Sequence, residues 1–119
     1  MTRTITTIPR GNVGSLGETN IVAPVPSMSS TVVDEVSRTT TRCIKWIITI
    51  TDTITDYANA QEILTIDGAT GLKFSRYNII GDTIQHNIQV TLLSGNFKLT
   101  IVNPTANDYS VKVLRFEIS

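Results

Sequence analysis

The sequence predicts an all-β fold, an antiparallel β-sandwich of about six to seven strands with an extended N-terminal arm. Ile, Val and Thr supply 16, 10 and 19 of the 119 residues, whereas Leu supplies only 7. Side chains branched at Cβ lose rotamer freedom in helices and suit a pleated sheet. From residue 31 onward, apolar and polar residues alternate with a period of two, and turn residues interrupt the alternation about every 8 to 12 residues. This spacing is typical of sandwiches and barrels.

Residues 1 to 30 differ in composition and are predicted to be the extended arm, followed by a β-sandwich domain over residues 31 to 119. Three of the four prolines lie in this segment, at positions 9, 24 and 26. Proline removes a backbone donor and fixes φ, so PVPSMSS is not expected inside a sheet or a helix, although TITTI has the pattern of a strand. Two interpretations stay open: a disordered leader, or an arm that orders on a neighbouring subunit. Seven aliphatic residues are the candidate partner-binding residues of the arm: Ile5, Ile8, Val13, Leu16, Ile21, Val22 and Val25.

The first regular strand after the arm is RCIKWIITITD, which alternation predicts to be half-buried. Its apolar face carries Ile44, Trp46, Ile48 and Ile50, and its polar face carries Cys43, Lys45, Thr49 and Thr51. NAQEILTID and LKFSRYNII are predicted as the next two strands, separated by a break over residues 67 to 71. DYANAQEIL has the composition for one helical turn at most, so no helix is expected.

The C-terminal part predicts three more strands joined by short turns. The first places His86, Ile88, Val90 and Leu92 on one face, and the second places Phe97, Leu99 and Ile101 toward the core. Gly95 and Asn96 suit the tight turn between these two strands, because both tolerate positive φ. The turn NPTAND leads to the last strand, where Val111 and Val113 lie on the face opposite Leu114, Phe116 and Ile118.

Charge and cysteine content exclude several classes of protein. Ten Lys or Arg balance ten Asp or Glu, so the usual electrostatic reason to expect a nucleic-acid or membrane partner is missing. The single cysteine, Cys43, forbids an internal disulfide and suits synthesis in a reducing cytoplasm. Neither a signal peptide nor a membrane-spanning apolar run is readable in the sequence.

Little in the sequence has the chemistry of a catalytic or metal site. The only histidine, His86, is in register with apolar neighbours, and Cys43 is interpreted as a semi-buried small residue. One His and one Cys fall short of a structural zinc site. The aspartates at 52, 56, 67, 82 and 108 fall in predicted turns without a calcium-loop spacing, and turn formation is the favoured interpretation of them. We therefore predict no enzyme activity, no catalytic or metal-binding residues and no cofactor; a hydrolase would have to use His86.

Aromatic residues leave open a second hypothesis, a binding module. Glycan-binding sandwiches stack sugars on exposed aromatic rings. Trp46 has the register of the core, so Tyr57 and Tyr77 are the candidates for such a platform. The loops around residues 52 to 57 and 81 to 87 would then recognise a host-surface glycan or protein.

Residues 34 to 119 resemble, in order, a β-sandwich module of virion structural proteins from tailed phages, notably those of marine and cyanobacterial hosts. The matching segments are DEVSRTTTRCIKWIITITD, QEILTIDG, KFSRYNIIG, SGNFKLTIVNPT and YSVKVLRFEI. The chain departs from the family at TIQHNIQVTLL, where the family often has a Gly-rich acidic stretch. The resemblance implies a β-sandwich on the phage particle, with no enzyme activity and no known cofactor.

The resemblance and the residue patterns together predict a virion structural protein. It would decorate or cement the capsid, or complete the neck or tail, with residues 1 to 30 as the docking arm. The expected partners are other virion proteins and further copies of the same chain, because symmetric particles let many weak contacts act together. The expected location is the virion, after synthesis in the host cytoplasm.

Overall fold

A computed structural model describes residues 17–118, and this part of the chain forms eight strands and no helix. The strands are β1 Gly17–Val25, β2 Ser29–Ser37, β3 Cys43–Asp52, β4 Ala58–Gly68, β5 Gly71–Gly81, β6 Asn87–Leu93, β7 Asn96–Asn103 and β8 Tyr109–Ile118. The predicted all-β class is confirmed. The residues described include no helix of the length and apolarity that a membrane crossing requires.

The strands form two antiparallel sheets. Five strands pair in the order β1-β8-β3-β4-β5, and three pair in the order β2-β7-β6. Consecutive strands β3, β4 and β5 form a meander, and β6 and β7 form a hairpin, because tight turns can join only antiparallel neighbours. The smaller sheet packs on one face of the larger, which gives the predicted sandwich.

The core lies between the inner faces of the two sheets. The apolar face predicted for β3 is fully buried: Ile44, Trp46, Ile48 and Ile50 each have 0% exposure. From the smaller sheet, Phe97, Leu99 and Ile101 meet this face and are equally buried. Period-two alternation therefore identified the core correctly in both sheets, because a half-buried strand places every second side chain inside.

The predicted boundary at residue 30 does not coincide with the strands. β1 lies inside the segment predicted to be an arm, and it pairs with β8 along its whole length, from Gly17 opposite Glu117 to Val25 opposite Tyr109. β1 is an edge strand, and such a position tolerates Pro24 because only one side of the strand must be paired. Residues 1–16 of the predicted arm lie outside the described residues.

A buried ionic cluster joins the two sheets near the start of β3. Asp34 of β2 accepts a hydrogen bond from Trp46 Nε1 of β3 at 2.8 Å, and its other oxygen lies 2.5 Å from Arg115 Nη1 of β8. Arg115 Nε also lies 3.0 Å from Glu117 Oε2. Both Asp34 oxygens thus have partners, which buried charges require.

Candidate assembly surface

The outer face of the five-stranded sheet, opposite the smaller sheet, carries a group of exposed apolar side chains. Register places Cys43 between Ile66 and Ile118, and in the next row Lys45 lies between Leu64 and Phe116. These residues outline a shallow groove of about 320 Å³, lined by Cys43, Lys45, Leu64, Phe116 and Ile118. The apolar residues exposed by more than 40% on this face are Val22, Leu64, Ile66, Ile80 and Ile118. We call this surface the outer face.

An ion pair lies in the middle of the outer face. Lys45 Nζ is 2.9 Å from Glu62 Oε1, and Asn78 Nδ2 donates to Glu62 Oε2 at 2.8 Å. The hydrogen bonds from Asn78 and Lys45 lower the pKa of Glu62, and the bond to Glu62 raises the pKa of Lys45. Exposed pairs of this kind contribute little to stability. The pair is one polar feature of the outer face, which by register also carries Lys73 and Lys112.

β5 forms the far edge of the five-stranded sheet and has no buried residue along its 11 positions. It pairs with β4 on one side, and no other described strand pairs with it. Phe74, Ile79 and Ile80 are 47%, 52% and 66% exposed. Apart from Leu72, which packs against the core, both faces of this strand are therefore largely open, which sequence reasoning did not predict.

A polar network joins β4 and β5 to the loop that precedes β6. His86 Nδ1 donates to Ile84 O at 2.6 Å, which leaves Nε2 as the acceptor. Gln61 Nε2 at 2.9 Å and Arg76 Nη2 at 3.2 Å both face this nitrogen, and Arg76 Nε donates to Gln61 Oε1. A neutral imidazole fits this arrangement, because in a protonated ring Nε2 would carry a hydrogen and could not accept from these two donors. Burial, and then the charge of Arg76, lowers the pKa of His86.

His86 predicts a pH dependence of stability. Its pKa in the folded protein lies below the ordinary value of 6.5, so the unfolded state binds the proton more readily. The contribution of His86 is then fully present above about pH 6.5 and is lost as pH falls toward the lowered pKa. Urea denaturation between pH 7.5 and 5 should show a decrease that is smaller in His86→Gln, whose side-chain oxygen replaces the Nε2 acceptor. An equal decrease in both proteins would contradict this assignment.

The structure separates the predicted arm residues into different environments. Val25 is fully buried in the chain's own core, and Ile21 is partly buried against that core. Val22 points the other way and is 70% exposed on the outer face. The remaining four, Ile5, Ile8, Val13 and Leu16, lie outside the described residues.

The structure brings together the two loops proposed for recognition. Ala58 N donates to Asp82 Oδ2 at 3.0 Å, and Asp82 N donates to Ala58 O at 2.8 Å, which holds the β3–β4 loop beside the β5–β6 loop. Tyr57 is 54% exposed there. Tyr77 instead lies within β5, opposite Glu62. The two tyrosines therefore belong to different surfaces and do not form the single platform considered from sequence.

Three of the five turn aspartates, Asp52, Asp82 and Asp108, accept hydrogen bonds from backbone N–H groups, as their favoured interpretation predicts, whereas Asp67 forms an ion pair with an arginine. Asp52 Oδ1 accepts from the backbone N–H groups of Ile54 and Thr55. Hydrogen bonding, above all from the Asn107 amide, lowers the pKa of Asp52. Asp108 accepts from Ser27 N at 2.9 Å. Within residues 17–118, no three His, Cys, Asp or Glu side chains are grouped so as to hold a metal ion.

Comparison with solved structures finds weak similarity to parts of two phage tailspike proteins. No protein-family model matches the chain, and no curated protein matches it. The tailspike protein of Acinetobacter phage vB_ApiP_P1 is 15% identical, with a TM-score of 0.42 over 94% of this chain. The tailspike of Acinetobacter baumannii bacteriophage Fri1, a capsular polysaccharide depolymerase, is 17% identical, with a TM-score of 0.49 over 88% of this chain. The chain spans 23% and 18% of the lengths of these two proteins.

Proposed function

We propose that the protein is a non-enzymatic structural component of a tailed-phage virion. In this role it decorates or cements the capsid, or completes the neck or tail, and the outer face contacts neighbouring virion subunits. The observation that carries the proposal is the apolar outer face, where Leu64, Ile66 and Ile118 are each exposed by more than 40%. The resemblance of residues 34 to 119 to phage virion modules supplies the context.

The outer face has the properties of a surface that becomes buried on assembly. Ile66 and Ile118 flank Cys43, and Leu64 and Phe116 flank Lys45 in the next row, and neighbouring exposed apolar side chains of this kind are found at interaction sites. The central Lys45–Glu62 pair gives a partner one fixed polar group to match, which favours a specific orientation over non-specific adhesion. Copies repeated by the symmetry of a particle would make modest individual contacts sufficient.

The double substitution Leu64→Glu and Ile66→Glu tests the outer face. Register places the new carboxylates opposite Lys45 and Lys73, so cross-strand pairing should keep the protein folded while the face becomes charged. We expect at least a tenfold decrease in the amount of tagged protein that co-purifies with phage particles, corresponding to about 1.4 kcal/mol or more of lost binding free energy. Ala106→Glu, on the exposed β7–β8 loop, is the matched control and should remain incorporated.

Unchanged incorporation of the double variant would exclude the outer face as the docking surface. Circular dichroism and the unfolding midpoint of each purified variant establish that a loss reflects binding and not misfolding.

The alternative is a β-sandwich binding module for a host-surface glycan or protein. It is favoured by the adjacency of the β3–β4 and β5–β6 loops, where Ile54 and Tyr57 are 74% and 54% exposed. Aromatic rings at such loop tips suit stacking on sugars. Under this alternative, saturable binding on a glycan array should be lost in Tyr57→Ala and kept in Tyr77→Ala. Absence of binding to any glycan or host surface protein would exclude this alternative and leave the structural role as the remaining proposal.

A further inference from the structure

We infer that β5 is a self-association edge, through which two copies of the chain pair antiparallel about a two-fold axis at Phe74. Pairing of this kind would join the two five-stranded sheets into one sheet of ten strands. The inference rests on the proposed role in assembly and names a second copy of the chain as one partner.

β5 is the longest of the four sheet edges, and its register shift with β4 lies near one end of the strand. β1 contains Pro24, β2 has an irregular register between Val32 and Asp34, and β6 has only seven residues. Proline, bulges and short length are the common protections of edge strands. β5 has 11 residues and no proline, and its register with β4 is regular from Gly71 to Tyr77 and shifts between Tyr77 and Ile80. The regular part of this edge presents unpaired backbone groups to a further strand.

The side chains of β5 would gain burial on both faces of an extended sheet. Register with β4 places Phe74 opposite the buried Thr65, on the inner side, yet Phe74 remains 47% exposed. On the outer side, Tyr77 lies opposite Glu62 and remains partly exposed. A second β5 strand would cover the exposed sides of the Phe74 and Tyr77 rings. Formal net charge is zero, so no long-range repulsion opposes the approach of two copies.

Charge selects the register of such a pair. An axis at Lys73 or at Arg76 would place two like charges directly opposite each other, which is unfavourable. An axis at Ser75 would use only part of the regular stretch. An axis at Phe74 uses all of Gly71–Tyr77, and it places Lys73 opposite Ser75 and Phe74 opposite itself. Aromatic rings opposed across strands attract each other, so the geometry points to Phe74.

Sedimentation equilibrium of the full chain under reducing conditions tests this edge. We expect a reversible monomer–dimer equilibrium and at least a tenfold weaker association in Phe74→Lys, which places two charges at the axis and removes both rings. Ile54→Lys is the matched control, because Ile54 is 74% exposed on a distant loop, and its association should be unchanged. A wild-type protein that stays monomeric at about 1 mM, or a dimer unaffected by Phe74→Lys, would overturn the inference.

Cysteine cross-linking tests the register independently of affinity. In a Cys43→Ser background, Phe74→Cys would face its own copy across the axis and should give a disulfide-linked dimer on mild oxidation. Ile54→Cys in the same background should give little disulfide-linked dimer. A dimer that forms in solution but does not cross-link through position 74 would overturn the assigned axis.

Removal of residues 1–16 distinguishes other occupants of β5. We expect the truncated chain to dimerise as the full chain does. Dimers seen only after truncation would mean that the N-terminal segment of the same chain covers β5. Dimers lost on truncation would mean that the partner's N-terminal segment covers it. Either result overturns strand-to-strand pairing of two β5 edges. The virion role is tested separately by particle incorporation, so a monomeric protein found on particles would refute only the dimer.

Discussion

Replacement of Asp34 by alanine is expected to lower the free energy of unfolding by about 3–5 kcal/mol, the range measured when one member of a buried ion pair is removed. Asp34 is 8% exposed, and its two oxygens accept from the Trp46 indole and the Arg115 guanidinium. Without the carboxylate, the indole N–H has no acceptor in a fully buried position, and Arg115 keeps only Glu117 as a counter-charge. Both losses lower the free energy of unfolding.

Urea denaturation measures this loss, and the neighbouring residue supplies the control. Glu35 is exposed, and among the contacts that the structure describes its side chain bonds only to Asn96, so Glu35→Ala should change the free energy of unfolding by about 1 kcal/mol or less. Asp34→Asn keeps an acceptor for Trp46 and should lie between these two variants. A change in Asp34→Ala no larger than that in Glu35→Ala would contradict the role of the cluster in joining the sheets.

Deletion of residues 1–25 is expected to abolish cooperative folding, whereas deletion of residues 1–16 is expected to preserve it. The longer deletion removes β1, with the fully buried Val25, and exposes the paired edge of β8. Burial of one such side chain is worth about 1.5–3 kcal/mol, and each ladder hydrogen bond contributes about 0.5–1.5 kcal/mol net. Nine paired positions therefore approach the total stability of a domain, about 5–15 kcal/mol.

Thermal unfolding followed by circular dichroism distinguishes the two deletion variants. The chemical-shift dispersion of their NMR spectra is a second measure of folding. A cooperative transition in the chain lacking residues 1–25 would contradict the packing of β1 as an integral strand. If residues 1–16 dock on a neighbouring subunit, the shorter deletion should give a folded protein that no longer joins particles. Retained incorporation would remove the docking role from Ile5, Ile8, Val13 and Leu16.

The elements that could be predicted from sequence are those whose pattern is local. β3 alternates strictly, so its buried face was predicted residue by residue. β1 was missed because Pro24 and Pro26 normally interrupt a sheet, and local sequence does not reveal that a strand will lie at an edge, where proline is tolerated. Alternation gives faces but not neighbours.

The surface features depended on information that local patterns lack. β5 was predicted as a strand, but its open faces follow from how far the smaller sheet extends over the larger one. The pair of Asp34 and Arg115 joins residues 81 positions apart. The neighbours of His86 at Gln61 and Arg76 likewise come from other strands. The outer face had one visible signal, the aliphatic residues on both sides of β3 and β8, such as Ile47 beside Ile48 and Val113 beside Leu114.

Immunogold labelling of purified phage particles is the most direct test of the proposed virion role. An antibody raised against residues 17–118 would be applied to particles from the lysate in which the protein is made, with the purified protein as the positive control for binding. We expect gold on intact particles, at the head for a decorating or cementing protein and at the neck or tail for a connector. Particles that remain unlabelled, and whose dissociated proteins also fail to react with the antibody, would contradict the virion role and favour a separate binding module.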